Sequence, residues 1–289
     1  MALWRRGGVS DQRLLVRPLE PADRDAALAL CLRDPVGAVL AGGHVEALGP
    51  IGRSLPLLGV EEAGRLVALC WTGANLVPVA GDVEALAAVA EVQRRRGRRC
   101  SSIVGTADQV LTLWSFLEQW WAQPREIRAD QPSLAITQEP LVASDGTVRR
   151  SRPEDFDILF PACVAMFTEE VGYSPTVAGA AYENRVRELI EAGRSFVRID
   201  EGPGGPRVVF KAEIGAVALG VAQVQGVWVD PALRGHGFAQ AGMAAVVRST
   251  LAEIAPTVSL YVNAYNAPAL AVYRRVGFEQ VGTYATVLF

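Results

Sequence analysis

The sequence predicts an α/β (α+β) protein built from two copies of one unit, on three observations. At 289 residues the chain is long for a single domain and suits two of roughly 140 residues. Gln138–Gly146 (Gln-Glu-Pro-Leu-Val-Ala-Ser-Asp-Gly) has the small, polar, Pro/Gly composition of a linker. On either side of it, apolar strand-like runs and helical stretches follow one another in a similar order. The expected domains are residues 1–140 and 146–289.

In the first half, Leu14–Leu19 reads as a short strand and Pro21–Leu32 as a helix. Strand-like runs follow at Leu66–Trp71 and Leu76–Val79, then a helix over Val83–Arg96. Asp82 is a suitable N-cap for that helix, Gly97 suits the position beyond its end, and Val83, Leu86, Ala87 and Ala90 form its apolar face. The arginines of Arg94–Arg99 suit a solvated helix C-terminus, where the dipole favours cations; a nucleic-acid patch is the alternative. Trp114–Trp121 reads as a helix that packs aromatics into a core or interface, or else lines a substrate site. In the second half, Thr147–Arg150 leads into a helix over Pro153–Glu170. Strands are expected at Ser195–Ile199, Arg207–Val217 and Val221–Val229, and a helix rich in small residues runs from Ala239 to Ile254.

Half of the residues are hydrophobic and a fifth charged, so each half can bury a core. The net charge of −3 argues against nucleic acid as an obligatory partner, because phosphate binding leaves a basic footprint. Cys31, Cys70, Cys100 and Cys163 are scattered, and His44 and His236 are the only histidines, so no metal site is expected. Buried, reduced thiols in a cytoplasmic protein are the expectation. The opening Met1–Gly8 lacks the apolar stretch of a leader, and no apolar run reaches bilayer length, so no membrane partner is expected. Lys211 is the only lysine, which reads as codon bias from a GC-rich genome.

The chemistry concentrates after Gln223. A strand ending Val227-Trp228-Val229 turns at Asp230-Pro231 and enters Arg234-Gly-His-Gly-Phe-Ala239 before the next helix. At a helix start several backbone N–H groups lack intrahelical partners and converge with the positive dipole end, which suits an anion. Gly235 and Gly237 let a phosphate approach the backbone, and Arg234 adds charge; a plain strand–turn–helix connection is the alternative. About thirty residues later come a strand over Val258–Asn263, then Asn266-Ala-Pro-Ala-Leu-Ala-Val-Tyr273 and Gly277-Phe278. In a helix, Asn266 and Tyr273 lie about 20° apart in azimuth and roughly 10 Å apart along the axis, so both can face one extended ligand. Asn266 also suits a simple N-cap before Pro268, and Tyr273 also suits an amphipathic core position.

With both motifs, residues 147–289 closely resemble the GNAT superfamily of N-acetyltransferases. The resemblance implies that each unit is a mixed, mostly antiparallel central sheet flanked by helices. It implies acetyl-CoA as cosubstrate, with Arg234, Gly235, His236, Gly237, Phe238 and Ala239 cradling its pyrophosphate. Val227, Trp228 and Val229 would hydrogen-bond pantetheine through the backbone, and Asn266 would contact the coenzyme. Tyr273 would lie near the sulfur as general acid. His236 holds a variable loop position and suits phosphate contact or solvent better than catalysis. The first half reads Leu76-Val-Pro-Val-Ala-Gly-Asp-Val at the corresponding junction, without arginine or paired glycines, and Asp82 would repel a pyrophosphate. It resembles a degenerate GNAT-like unit. The layout is similar to a high-GC bacterial family with an uncharacterised N-terminal domain before a GNAT domain, and to the tandem mycothiol synthase.

The implied reaction is direct attack of a small-molecule or peptide amine on the thioester in a ternary complex. Many GNAT enzymes carry a glutamate eleven residues before the phosphate loop; Gln223 stands there, and an amide accepts no proton at neutral pH. Glu213, Glu169, Glu170 or water relayed through Gln223 to solvent are the alternatives, with no base assigned. A non-catalytic acyl-CoA-binding or regulatory protein is the competing reading.

Overall fold

The computed structural model describes residues 14–49, 56–202 and 204–289. The Met1–Gly8 stretch inspected for a leader lies outside the described residues. The chain forms two compact units that interleave in sequence. One takes the residues up to Asp34, His44–Ile127 and Ala285–Phe289; the other takes Pro35–Gly43 and Arg128–Tyr284.

Through the first half the elements are β1 (Leu15–Pro18), α1 (Arg24–Cys31), α2 (Pro35–Glu46), β2 (Leu57–Glu62), β3 (Arg65–Thr72), β4 (Asn75–Val79), α3 (Val83–Arg96), β5 (Ser102–Thr106) and α4 (Ala107–Leu117). Strands β1 to β4 pair antiparallel in order, and β4 pairs parallel with β5 only at Asn75↔Ser102 and Leu76↔Ile103. Helix α3 matches its expected span. Asp82 accepts from the Ala85 N–H at 2.8 Å, and Gly97 holds φ of 70° beyond the last turn. Val83, however, is 57% exposed. The buried stripe instead runs Ala85, Val89, Gln93 with Leu86 and Ala90, an i, i+4 ladder that leaves Val83 outside it. Helix α4 stops at Leu117, short of the expected Trp121. Trp114 and Trp121 still reach the core, their rings 5.6 and 5.7 Å from that of Phe289, while Trp120 is exposed.

The second half contributes β6 (Glu126–Ile136), β7 (Arg149–Arg150), α5 (Phe156–Val171), α6 (Ala181–Glu191), β8 (Ser195–Gly202), β9 (Gly205–Ala218), β10 (Val221–Val229), α7 (Phe238–Glu253), β11 (Thr257–Tyr261), α8 (Ala267–Val276) and β12 (Glu279–Leu288). The sheet of the second unit runs β6-β11-β10-β9-β8-β7, and only β10 and β11 are parallel. Adjacent residues Phe196 and Val197 fall in different core clusters, as strand alternation requires of a sheet covered on both faces. One cluster joins Phe210, Ile214, Met243, Val247 and Tyr273; the other packs Leu159, Cys163, Val186 and Val197. The Gln138–Gly146 stretch is irregular but anchored: the Leu141 N–H donates to Val276 O at 2.9 Å and Asp145 N–H to Ala241 O at 3.0 Å.

A local repeat marks the two units. Arg17 grips Asp23 at 2.6 Å, and the Glu20 N–H donates to the same carboxylate at 2.7 Å. Arg149 grips Asp155 at 2.6 Å, and the Arg152 N–H donates to it at 2.7 Å. In both, a proline opens a 3₁₀ turn that leads into the first helix. Both units are mixed sheets, mostly antiparallel, with helices packed on them.

Candidate functional site

In the second unit, β10 and β11 pair only at Val221↔Thr257, Ala222↔Val258 and Gln223↔Ser259, then diverge. From Val224 onward that edge of β10 has no partner strand among the described residues. Its other edge carries a β-bulge between Gln225 and Trp228, with Gly226 at φ of 60°, before Trp228 and Val229 rejoin β9. Val227 and Val229 lie against the core beneath α7, whereas Trp228 packs toward α5 and α6.

The chain then turns. Asp230 accepts from the Ala232 N–H at 2.9 Å and starts a short 3₁₀ turn over Pro231–Leu233. Gly235 and Gly237 adopt φ of 82° and 86°, left-handed conformations that side chains resist. A Cβ at either glycine would meet nothing within 4 Å. Gly237 is the N-cap of α7 and supplies no side chain, so the first amides of a 16-residue helix have no side-chain cap among the described residues. The His236 Nδ1 lies 3.0 and 3.2 Å from the carbonyls of Arg234 and Leu233; carbonyls only accept, so this nitrogen donates and the ring braces the turn. Arg234 donates to Val229 O at 3.2 Å and pairs with Glu169 at 2.7 Å, leaving it within the turn yet half exposed. Phe238 lies under the Arg198 guanidinium, and Ala239 packs on the core, so both face the loop through their backbone.

Asn266 caps α8, its Oδ1 accepting from the Ala269 N–H at 3.2 Å, and remains exposed. Tyr273 sits one face along, 8% exposed, in the same core cluster as Val229, with Phe278 edge-on at 5.9 Å. Its hydroxyl has no hydrogen-bond partner among the described residues. Burial, reinforced by the Glu170 charge, pushes the phenol pKa above its ordinary value, so Tyr273 keeps its proton.

Of the carboxylates weighed as bases, each has a cation. Glu169 holds Arg234, and Glu170 holds Arg128 at 3.3 Å. Glu213 is buried against Lys211 at 2.5 Å, with the Cys163 thiol 3.5 Å from the same oxygen. Its other oxygen lies 3.0 Å from where a Gly226 Cβ would be, at the bulge. Burial works most strongly against the Lys211 charge, but Glu213 and Cys163 together outweigh it and hold the ammonium. Burial also lifts the Cys163 thiol to about 11. Gln223 is buried, and its Nε2 has no hydrogen-bond partner among the described residues. The Lys211–Glu213–Cys163 group escaped the sequence reading; the signal was the single lysine, placed where burial demands a carboxylate beside it.

Residues 164–278 match the Acetyltransferase (GNAT) family, and residues 56–159 match a domain of unknown function, DUF4081. The second unit carries a GNAT acetyltransferase domain. It is preceded by a DUF4081 domain. Solved structures agree on the fold. A GCN5-related N-acetyltransferase from Sphaerobacter thermophilus is 17% identical, with TM-score 0.59 over 96% of each chain. A tandem GNAT protein from the clavulanic acid biosynthesis pathway is 15% identical, with TM-score 0.55 over 96% of this chain and 98% of that one. An acetyltransferase from the GNAT family of Colwellia psychrerythraea is 12% identical, with TM-score 0.53 over 95% and 99%. No protein of curated function matches by sequence. A GNAT acetyltransferase domain implies acyl transfer from an acyl-CoA. No helix among the described residues is long and apolar enough to cross a membrane.

Proposed function

We propose that the GNAT domain transfers the acetyl group of acetyl-CoA to a primary amine in a ternary complex. The observation that carries this reading is the uncapped start of α7 behind two left-handed glycines, beside the unpaired edge of β10. Arg234, Gly235, His236, Gly237, Phe238 and Ala239 would hold the diphosphate mainly through backbone N–H groups. That anion would compete with Glu169 for Arg234. Val227–Val229 would pair with the pantetheine arm, and a backbone N–H there would stabilise the oxyanion. Asn266 would contact the coenzyme beyond its capping bond.

In the reaction, the neutral amine nitrogen attacks the thioester carbonyl carbon. The C–S bond breaks, and Tyr273 gives its proton to the departing thiolate. A phenol with a raised pKa is loaded for this at neutral pH and is readily reprotonated from solvent. Glu169, Glu170 and Glu213 are each engaged by a cation, so no base is assigned among them and the ammonium proton passes to water. Holding both reactants in one cleft supplies proximity, worth up to roughly 7–11 kcal/mol when well aligned.

The acceptor is a small-molecule or peptide amine. Gln223, in place of the glutamate, favours a second reading, a non-catalytic acyl-CoA-binding or regulatory protein. Release of free CoA from acetyl-CoA, followed across a panel of amines, separates the two. Turnover that depends on an added amine supports the enzyme; saturable acetyl-CoA binding without turnover on any amine supports the sensor.

A further inference from the structure

The Arg94–Arg99 run divides in two by what its members touch. Arg94 and Arg95 each pair with Glu91 at 2.7 Å, and Arg94 also lies over the Trp120 ring. Arg98 donates to Cys100 O at 2.8 Å and lies over Phe289. Arg96 and Arg99 have no carboxylate partner among the described residues. Both line a pocket of about 460 Å³ in the first unit, a volume in the range of small-molecule sites.

Pro18, Leu57, Leu58 and Leu76 give this pocket apolar walls. Gln93, one turn before Arg96 on the same side of α3, lines it too. Only 6% of Gln93 is exposed, yet its Nε2 has no hydrogen-bond partner among the described residues. Such an orphaned buried donor is destabilising, a penalty that a ligand oxygen would remove. The site is not a vestige of coenzyme binding. It uses the beginning of β4 and the end of α3, whereas the junction equivalent to the phosphate turn lies after β4 and before α3.

We propose that this pocket binds a small organic carboxylate with an apolar body. The guanidinium groups of Arg96 and Arg99 take the carboxylate, for which their planar forks are suited, and the Gln93 amide donates to an acceptor oxygen on the ligand. The apolar walls select against a bare inorganic anion, which has nothing to bury against them.

Calorimetry on the full chain tests this with N-acetyl-leucine, which carries a carboxylate, an amide oxygen and a branched apolar side chain. Saturable binding is expected, weakened at least tenfold for the neutral N-acetyl-leucinamide and at least tenfold by combined Arg96→Gln and Arg99→Gln. Gln93→Met deletes the orphaned amide at similar volume. It should keep or raise Tm while weakening binding severalfold, an outcome that loss of fold cannot mimic. Absence of saturable binding, equal binding of the amide, tighter binding of inorganic phosphate, or unchanged affinity in the arginine variant would each overturn the proposal.

Discussion

The two strand-to-helix junctions, Val79–Asp82 into α3 and Val229–Gly237 into α7, share a plan and differ in who satisfies the helix start. Each follows a strand that pairs parallel with its neighbour for only two or three residues. At α3 the protein consumes its own donors: the Asp82 side chain takes the Ala85 N–H at 2.8 Å, and Gln109 takes the Gly81 N–H at 2.9 Å. At α7 glycines replace both devices: no side chain caps the helix, and a Cβ at Gly235 or Gly237 would meet nothing within 4 Å. On the proposed reading, the anion site is a helix start that the chain declines to cap, and a single carboxylate would convert one state into the other.

Gly237→Asp makes the second junction resemble the first and should cause the largest loss. Asp tolerates the left-handed conformation, but its charge stands where a diphosphate would bind. Acetyl-CoA affinity should fall roughly 100- to 1,000-fold by calorimetry. Retained affinity would sink the contrast. Tyr273→Phe leaves the junction alone and should lower kcat about 100-fold, with the KM for acetyl-CoA nearly unchanged. Arg234→Gln removes one charged contact and should raise that KM about tenfold, an effect that shrinks with added salt. Asp82→Ala works on the other side of the comparison. It should cost about 1 kcal/mol in urea unfolding and create no second acetyl-CoA site, because Gln109 still closes the turn. Tyr273 makes the subtlest prediction. Burial and the Glu170 charge both raise its pKa, so kcat should not decline until above about pH 10, the ordinary tyrosine value. Glu170→Gln removes one of those causes and should bring the alkaline decline to lower pH.

Much of this was legible in the residues because the signals were local. Asp82, Gly97 and the span of α3 follow from capping rules, and Gly235 and Gly237 stand in a turn that demands positive φ. The units' shared Arg17–Asp23 and Arg149–Asp155 grips were present as a spacing but gain meaning only once the fold closes them. Val83 was misassigned because a short apolar pattern fits two helix faces, and tertiary packing selects one. The ends of α4 and β11 also shifted, by four and two residues, since aromatic and polar residues continue past the last regular turn or pair. Long-range pairings left no local trace. The buried Lys211 and Glu213 share a strand face at i, i+2, but Cys163 lies about fifty positions away and no motif joins it to them.

The interleaving of the units has a practical meaning for anyone dissecting the gene. A fragment beginning at residue 146 would lack β6, whose Leu134 and Ile136 are buried in the core around Tyr273. It would also lack Val36, whose carbonyl receives the Tyr284 hydroxyl at 2.8 Å. The complementary fragment would lose Ala285, Val287 and Phe289 from its own interior. Fission at the irregular stretch therefore takes core residues away from both pieces.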